Sequence, residues 1–545
     1  MNNQKKTNGQ APPEELLGFL SQKSSYPHHP RHIRFIQTHA SYVFIVPPFV
    51  YKIKKPVNFG FLDFSTLEKR KFYCQREVEL NRLLCPEIYL GVVPITRKDS
   101  GLLSFDATAD VVEYAVKMRM LSRRFFFKRL LQRNRVDFSA VDRLVLKLCQ
   151  FYKQTESGEE ISAWGSIEKI KMNTDENFEQ TRSDIGLTLD ETSFETIRYF
   201  TDRFYELFAP LFLERVRQGW IKNGHGDLHL EHIYLEPAKI CIFDRIEFNE
   251  RFRFIDVACD IAFLAMDLDY NQRQDLSSFF CRRMAEALND FSFYKLLDFY
   301  KSYRAYVRGK VEGMTAKDPL VGEAKKKDHI ERAKRYFQLS LQYATIGSQP
   351  TMIVVMGRVA TGKSYLAEHL GAKLGWKVFS SDRIRKEFAG IDPYQRTGPE
   401  ERQKIYSKAM SLKTYQEMVT RGLNELGDQR GVILDGTFGQ KEQRNFLREK
   451  LKEQAYGCLF VELEADRQTR EKRLEKREHS PSLSDARLED LPLLDKLYEE
   501  PLELPQENII KFSSTEPFET ALKNLFFQLC DRHLELLCKS EKQLG

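Results

Sequence analysis

The chain has 545 residues, 42% of them hydrophobic, which is more than a single core organises, so we expect two or more domains. Its 85 lysines and arginines nearly balance 78 aspartates and glutamates, and the formal net charge of +7 is too small to favour a nucleic-acid partner. The nine cysteines form no C-x-x-C pair, which is typical of reduced thiols, and no apolar run reaches the ~18 residues of a membrane helix. We therefore expect a cytoplasmic protein without a membrane partner.

The predicted elements begin after residues 1–15, a polar stretch without a signal-peptide core that we predict to be a disordered tail. Residue patterns then predict, in chain order, strands over Ile33–Gln37, Tyr42–Val46 and Val50–Lys54, a helix over Thr66–Leu84 and a strand over Val111–Met118. Mainly helical patterns follow over residues 122–220 and return over residues 255–343. Residues 345–350 are typical of a turn, so we place a domain boundary between residues 16–345 and 346–545. The second domain alternates strand and helix, which predicts a parallel sheet wound with helices.

Four segments of the first domain carry the charged and histidine residues that bear on its function. They are Tyr51-Lys52-Ile53-Lys54-Lys55, the helix that contains Glu77, His225-Gly226-Asp227-Leu228-His229-Leu230-Glu231-His232, and the strand that presents Asp244. Together they resemble the protein-kinase fold, in the H-G-D-x-H form of aminoglycoside phosphotransferases. The resemblance implies a bilobal, kinase-like α+β domain.

The same resemblance implies a role for each of these residues. Asp227 would accept the proton of a substrate hydroxyl, Asp244 would bind Mg²⁺, and Glu77 would pair with a phosphate-binding lysine. Lys52 is our choice for that lysine, and Lys54 stays an alternative because it lies on the same face of the strand. His232 falls at the position of the second metal ligand, and Asp256 and Asp260 are expected to be structural.

Two departures from the kinase pattern bear on the activity of the first domain. His232 replaces an asparagine, and imidazole suits softer metals than Mg²⁺, so metal binding is weakened or passes to water or Glu231. The turn Thr38-His39-Ala40-Ser41 replaces the glycine-rich loop and leaves hydroxyls as the only substitutes for close backbone approach. The first domain is therefore either a slow kinase or a binding domain that no longer transfers phosphate.

The second domain opens with the phosphate-binding pattern G-x-x-x-x-G-K-[ST] between a predicted strand and a predicted helix. Its residues are Gly357, Arg358, Val359, Ala360, Thr361, Gly362, Lys363 and Ser364. The loop turns backbone N–H groups and a helix N-terminus towards one anion. Lys363 would reach the β- and γ-phosphates of ATP, and Ser364 would bind Mg²⁺.

Two later strands of this domain end in carboxylates. Asp382 follows the strand over residues 378–381, and it is either the base that accepts the proton of an acceptor hydroxyl or a cap of the next helix. Asp435 ends the apolar run Gly431-Val432-Ile433-Leu434, as in the Walker-B pattern that holds Mg²⁺. Ligands bind at the carboxyl ends of strands in such sheets, so both side chains are expected near the phosphate loop.

Three arginines, Arg470, Arg473 and Arg477, share one face of a predicted helix. They form either a lid that neutralises charge on the transferred phosphate or a solvated face paired with nearby glutamates. With the phosphate loop and the two carboxylates, they resemble the P-loop kinases of the polynucleotide-kinase and zeta-toxin type. The whole chain resembles bacterial two-domain proteins that fuse an aminoglycoside-phosphotransferase-like domain to such a kinase.

The sequence therefore predicts an ATP-dependent kinase that uses ATP and Mg²⁺ to phosphorylate a hydroxyl of a small molecule. The second domain is the more secure catalyst, because its phosphate loop, base, metal ligand and arginines are all present. One alternative is a regulatory ATP-binding protein whose first domain senses a ligand without transfer. A second alternative is a nucleic-acid end kinase, which the balanced charge disfavours.

Overall fold

The computed structural model describes residues 13–106, 110–319, 321–478 and 483–539. By its internal contacts the chain divides into two compact units. The N-terminal unit comprises residues 1–170, 210–268 and 275–293, and the C-terminal unit comprises residues 171–209, 269–274 and 294–545. This division does not coincide with the predicted boundary at residue 345. Residues 171–209, 269–274 and 294–345 are grouped with the residues that contain the phosphate loop.

Fifteen strands form the sheets of the two units. They are β1 Arg34–Gln37, β2 Ser41–Val46, β3 Phe49–Lys54, β4 Tyr89–Arg97, β5 Leu103–Ser104, β6 Asp110–Arg119, β7 Ile221–Asn223, β8 Ile233–Glu236, β9 Lys239–Ile242, β10 Phe254–Asp256, β11 Thr351–Gly357, β12 Lys377–Ser380, β13 Gly431–Asp435, β14 Gly457–Glu464 and β15 Ile509–Ser513. This count refers to the described residues.

Nineteen α-helices are found in the same described ranges. They are α1 Pro13–Leu20, α2 Leu67–Arg82, α3 Phe127–Leu131, α4 Phe138–Gln154, α5 Glu159–Ser162, α6 Ile167–Thr181, α7 Glu191–Arg217, α8 Val257–Tyr270, α9 Gln274–Leu288, α10 Tyr294–Lys317, α11 Glu323–Thr345, α12 Lys363–Leu374, α13 Ser381–Ala389, α14 Pro399–Ile405, α15 Lys408–Asp428, α16 Lys441–Glu453, α17 Arg467–Glu478, α18 Leu491–Lys496 and α19 Phe518–Lys539. None of these helices combines the length and apolar character that a bilayer crossing requires.

The N-terminal unit is built around an antiparallel sheet with the strand order β1-β2-β3-β6-β4-β5. Side chains alternate across this sheet. Tyr51 and Ile53 of β3 therefore enter a core with Leu16 and Leu20 of α1, while the lysines between and beyond them point to the opposite face. Helix α2 packs against strands β4 and β6 of the sheet, and it is capped by Thr66, whose side chain accepts a hydrogen bond from the Lys69 N–H.

The C-terminal unit contains a parallel sheet with the strand order β12-β13-β11-β14-β15. Strands β11 and β13 are buried along their whole length, as expected for continuous apolar runs with helices on both faces. In the register of the sheet, Val355 pairs with Asp435 and Ser380 pairs with Asp435. The carboxyl ends of β11, β12 and β13 therefore meet at one edge. Helices α10 and α11 pack together, and α11 also contacts α12 and α19.

The fold class predicted from the sequence, mixed α/β and α+β with a wound parallel sheet after the phosphate loop, is confirmed. Most of the predicted tail, residues 1–12, lies outside the described residues, and Pro13 already begins α1 instead of continuing a disordered segment. Strand β4 was not predicted as a strand. It contains Gly91 and Pro94, which are usually excluded from strand interiors, and its pairing with β6 shows two register irregularities.

Candidate active sites

The phosphate loop connects β11 to α12 and has three residues with positive φ: Gly357 (137°), Ala360 (64°) and Gly362 (100°). A Cβ atom at residue 357 would lie 2.6 Å from the carbonyl oxygen of Leu463, so this position requires glycine. Gly362 is the N-cap of α12. The loop backbone therefore leads directly into a helix N-terminus, where N–H groups bind anions.

Lys363, the first residue of α12, lies over this loop. Its Nζ donates a hydrogen bond of 2.9 Å to the carbonyl oxygen of Arg358, which also accepts one of 2.9 Å from the Thr361 hydroxyl. Burial lowers the pKa of Lys363 to about 8, against the opposing effect of the Asp435 and Asp382 carboxylates. The loop thus holds a lysine that an anion would stabilise in its charged form.

Asp435 lies beside the loop at the end of β13, where it is 3% exposed. Burial raises its pKa to about 6, although the hydroxyls of Ser364 and Ser380 donate hydrogen bonds to the carboxylate. Ser364 and Asp435 therefore offer a hydroxyl and a carboxylate oxygen in contact with each other. Oxygen donors of this kind are the ligands that Mg²⁺ prefers, so the residues fit the metal expected at this site.

Asp382 is the second residue of α13 and is partly exposed. The N-cap of this helix is Ser380, so the structure does not place Asp382 at the capping position that we considered as its alternative role. Its Oδ1 accepts a hydrogen bond of 3.3 Å from the Tyr406 hydroxyl. Asp382 also acts electrostatically on Lys363 and Asp435, so the structure brings all three together.

The three arginines of α17 have different surroundings. Arg470 donates to the Val359 carbonyl at 2.8 Å and forms an ion pair with Asp495. The Nη1 atom of Arg473 donates to the carbonyl oxygens of Ala360 and Thr361 at 3.2 and 3.0 Å. These two arginines therefore hold the loop backbone and do not form a free lid.

Arg477 is the arginine of this helix whose ionisation is influenced by the carboxylate of Asp382. Burial lowers its pKa, and Asp382 acts in the opposite direction. Among the described residues, its guanidinium has no recorded hydrogen bond or ion pair. Arg358 of the loop already has partners. It donates a hydrogen bond of 3.0 Å to the Asp495 carbonyl oxygen and forms an ion pair of 2.5 Å with Glu500. Of these four arginines, Arg477 is therefore the one available to a ligand near Asp382.

The second site, in the N-terminal unit, centres on the lysines of β3. Lys52 Nζ lies 2.9 Å from Glu77 Oε1 and 2.6 Å from Asp244 Oδ1. Lys54 Nζ lies 2.8 Å from the other oxygen of Glu77 and also pairs with Glu247. The structure thus brings both candidate lysines to Glu77, and Lys52 is the one that reaches Asp244.

Charge compensation sets the ionisation of this group. Burial disfavours the charged forms of Lys52 and Glu77, but their mutual attraction raises the pKa of Lys52 and lowers that of Glu77. Burial likewise opposes ionisation of Asp244, yet the neighbouring Lys52 ammonium holds its pKa well below the usual range. Asp244 has a φ of 63°, which is uncommon outside glycine and indicates a residue held in place by its surroundings.

Asp260 supports the loop that contains Asp227. Its carboxylate accepts hydrogen bonds from the backbone N–H groups of His225 and Gly226, at 2.6 and 2.9 Å. Gly226 has a φ of 84°, and a Cβ there would lie 2.6 Å from the carbonyl of Phe252. Asp227 Oδ2 lies 3.5 Å from both His229 Nε2 and His232 Nδ1. Asp260 therefore holds the backbone of this loop in place, and the side chain of Asp227 remains partly exposed.

The turn that replaces the glycine-rich loop is closed by its own side chains. The Thr38 hydroxyl accepts a hydrogen bond of 2.9 Å from the Ser41 N–H and donates one of 3.2 Å to the Ser41 carbonyl. Lys55 Nζ donates to the carbonyl of Thr38. The hydroxyl of Thr38 is thus engaged within the turn, and Ser41 is buried.

Two residues near the C-terminal site were missed by the sequence reasoning. Tyr406 contacts Asp382, and Asp495 pairs with Arg470 and, at 3.5 Å, with Arg358. Neither residue belongs to a local motif. Each contacts the site only because the folded chain brings its segment against it. No signal in a single sequence marks them.

Comparisons with known proteins find similarity to one family model, to several curated proteins and to solved structures. A family model described as an AAA domain matches residues 352–501. An uncharacterised protein of Mycobacterium tuberculosis is 29% identical over 411 residues, which cover 75% of this chain and 79% of that protein. Among solved structures, a gluconokinase from Sinorhizobium meliloti 1021 is 19% identical with a TM-score of 0.26 and covers 36% of this chain and 98% of its own. A choline kinase from Cryptosporidium parvum Iowa II is 12% identical with a TM-score of 0.38 and covers 61% and 94%.

Residues 352–501 are thus similar to an AAA domain, and this match contains the phosphate loop of residues 357–364. The fusion to an aminoglycoside-phosphotransferase-like domain stays a prediction.

Proposed function

We propose that the C-terminal unit transfers the γ-phosphate of ATP to a hydroxyl group of a small molecule. The observation that carries this proposal is the convergence of Lys363, Asp435 and Asp382 at the carboxyl ends of neighbouring parallel strands. A mechanical ATPase needs the first two groups. A carboxylate on the acceptor side of the γ-phosphate has its main use in transfer to a hydroxyl.

Each residue has a defined part in this proposal. The loop backbone and Lys363 bind the phosphates, and Ser364 and Asp435 would hold Mg²⁺, which supplies charge neutralisation for the transferred group. Asp382 orients the acceptor hydroxyl and accepts its proton, while the Tyr406 hydroxyl, 3.3 Å away, fixes the direction of the carboxylate. Arg477 stabilises negative charge that develops on the phosphoryl oxygens.

The test compares Asp382→Asn with the neighbouring control Arg383→Gln in the full chain. Arg383 is exposed and lies on the same first turn of α13. We expect Asp382→Asn to lower ATP-dependent phosphorylation across a panel of sugars, nucleosides and amino alcohols by at least about 10²-fold with Mg·ATP binding retained. Arg383→Gln should retain both. Unchanged phosphorylation in Asp382→Asn, or in Lys363→Ala, would exclude this site as the catalyst.

We propose, as a second function, that the N-terminal unit binds ATP in a kinase-like site. The contacts of Lys52 with both Glu77 and Asp244 support it, because the same lysine-glutamate and metal-carboxylate pairs organise phosphates in protein kinases. Whether this unit also transfers phosphate depends on Asp227.

The full chain carrying Lys363→Ala isolates this second site. Nucleotide binding that persists in this variant and is lost on adding Lys52→Met supports the N-terminal site. Phosphorylation that persists and is lost on adding Asp227→Asn assigns it a kinase activity, and binding without transfer assigns it a regulatory role. Absence of nucleotide binding in the Lys363→Ala chain contradicts the second function and leaves the first untouched.

A further inference from the structure

His232 lies between the two carboxylates of the N-terminal site. Its Nδ1 atom is 3.0 Å from the backbone carbonyl oxygen of Asp227, and its Nε2 atom is 3.5 Å from Asp244 Oδ2. The ring is largely buried, with 15% of the side chain exposed. The kinase pattern has an amide at this position, so the imidazole changes the chemistry offered to a bound ion.

The carbonyl of Asp227 determines which ring nitrogen carries the proton. A carbonyl oxygen only accepts hydrogen bonds, so a contact of 3.0 Å assigns the proton to Nδ1. Nε2 then presents a lone pair towards the carboxylate oxygen of Asp244, and two lone pairs that face each other are stabilised by a cation between them.

The distance between these atoms suits a shared metal ion. Nitrogen and oxygen ligands lie ~2.1 Å from a divalent transition metal, and at a near-tetrahedral angle two such ligands are about 3.4 Å apart. Nε2 and Oδ2 are 3.5 Å apart. The hydrogen bond from Nδ1 to a backbone carbonyl is also the arrangement that commonly orients a metal-binding histidine.

We propose that His232 Nε2 and Asp244 Oδ2 bind a first-row divalent transition metal, of the Mn²⁺-to-Zn²⁺ series, in preference to Mg²⁺. The inference rests on the second proposed function, the nucleotide site of the N-terminal unit, whose phosphates would complete the coordination. Mg²⁺ demands oxygen ligands, whereas affinity for a site with imidazole rises along the series from Mn²⁺ towards the later metals.

A competing set of ligands lies nearby. Asp227, His229 and His232 offer atoms that all lie within 4.8 Å of one another. However, His229 Nδ1 accepts a hydrogen bond of 3.3 Å from the Glu231 N–H, so the proton of this ring is on Nε2, which faces Asp227. His229 is therefore a hydrogen-bond donor to the carboxylate, and it provides a matched control for His232.

The test reads nitrogen coordination directly, by electron spin-echo modulation of Mn²⁺ added to the full chain with and without a non-hydrolysable ATP analogue. The C-terminal site offers only oxygen from Ser364 and Asp435, so ¹⁴N modulation typical of imidazole reports the N-terminal site. We expect this signal in the unaltered chain and in His229→Asn, and its loss in His232→Asn. Its absence from the unaltered chain under both conditions would overturn the proposal, as would equal loss in both variants, which would favour the ligand set around Asp227.

Competition between metals gives a second measure. With Co²⁺ as the visible probe, we expect His232→Asn to weaken binding at least about tenfold, comparable to the loss of a supporting partner of a metal ligand, and to bring Mg²⁺ and Co²⁺ affinities closer together. Equal preference for the two metals before and after the substitution counts against the inference. Nucleotide binding to the Lys363→Ala chain is measured in parallel, because normal binding with no metal preference contradicts this inference alone.

Discussion

Replacement of Lys363 by methionine tests the electrostatic description of the phosphate loop. The substitution keeps the length and the apolar stem of the side chain but removes the ammonium group. That group lies in a partly buried position, where burial lowers its pKa to about 8. Since the folded state disfavours the charged form, we expect Lys363→Met to stabilise the C-terminal unit at pH 7 while abolishing ATP binding there.

The magnitude follows from the pKa. A decrease from the ordinary value of 10.5 to about 8 corresponds to ~3 kcal/mol of unfavourable interaction when the lysine is charged. The variant also loses the hydrogen bond from Nζ to the Arg358 carbonyl, which is worth ~1 kcal/mol. The expected net gain is therefore ~2 kcal/mol, or a rise in Tm of about 3 °C for a unit of this size.

The stability difference between Lys363→Met and the unaltered chain depends on pH. The cost of the charged lysine is fully present below pH 8. It disappears as pH rises from about 8 to 10.5, because the folded chain loses this proton near pH 8 whereas the unfolded chain keeps it until about pH 10.5. Calorimetric Tm values of Lys363→Met and the unaltered chain should therefore converge across this window. Lys373→Met, on the same helix α12, removes an ion pair with Asp190 and should not stabilise. A lower Tm for Lys363→Met at pH 7, or a constant difference up to pH 10, would refute the reasoning.

Two further predictions concern the same site. Because burial raises the pKa of Asp435 to about 6 and metal ligands must be deprotonated, Mg²⁺-dependent ATP binding should weaken up to about tenfold per unit as pH falls below 6. Titration calorimetry from pH 5 to 8 checks this, and Asp435→Asn should remove the dependence. Arg473→Gln should raise KM for ATP through loss of its bonds to the loop carbonyls, whereas Arg477→Gln should lower kcat by roughly 10²-fold with KM retained. Steady-state kinetics separate the two, and equal effects on both constants would contradict the assignment.

The sequence predicted the parts of the C-terminal site that belong to continuous segments. The phosphate loop, Asp382 and Asp435 each follow an apolar run, and the rule that parallel strands present ligands at their carboxyl ends was enough to bring them together. It did not separate the three arginines of α17, since helical spacing places them on one face. Their different partners come from Asp495 and Ser514, which arrive from other parts of the fold.

In the N-terminal unit, motif order predicted which residues meet but not how their charges are balanced. Alternation along β3 places Lys52 and Lys54 on one face, so the sequence left both as candidates. The structure pairs each lysine with two carboxylates, and Glu77 is common to both. No local sequence pattern predicts the contact of Glu247 with Lys54. Pairing across 193 residues depends on the packing of the unit.

The two candidate sites differ in what they lack before a nucleotide arrives. At the phosphate loop, Lys363 donates a hydrogen bond to the backbone carbonyl of Arg358, and burial lowers its pKa. A bound phosphate would therefore stabilise the charged form of this lysine. In the N-terminal unit, Lys52 is already neutralised by Glu77 and Asp244, and phosphate must compete with both carboxylates. A cation on Asp244 removes that competition, because it withdraws one carboxylate from the lysine. Nucleotide binding at the N-terminal site should therefore depend on its metal more strongly than binding at the phosphate loop. For this reason, the identity of residue 232 should determine which metal supports nucleotide binding to the N-terminal unit.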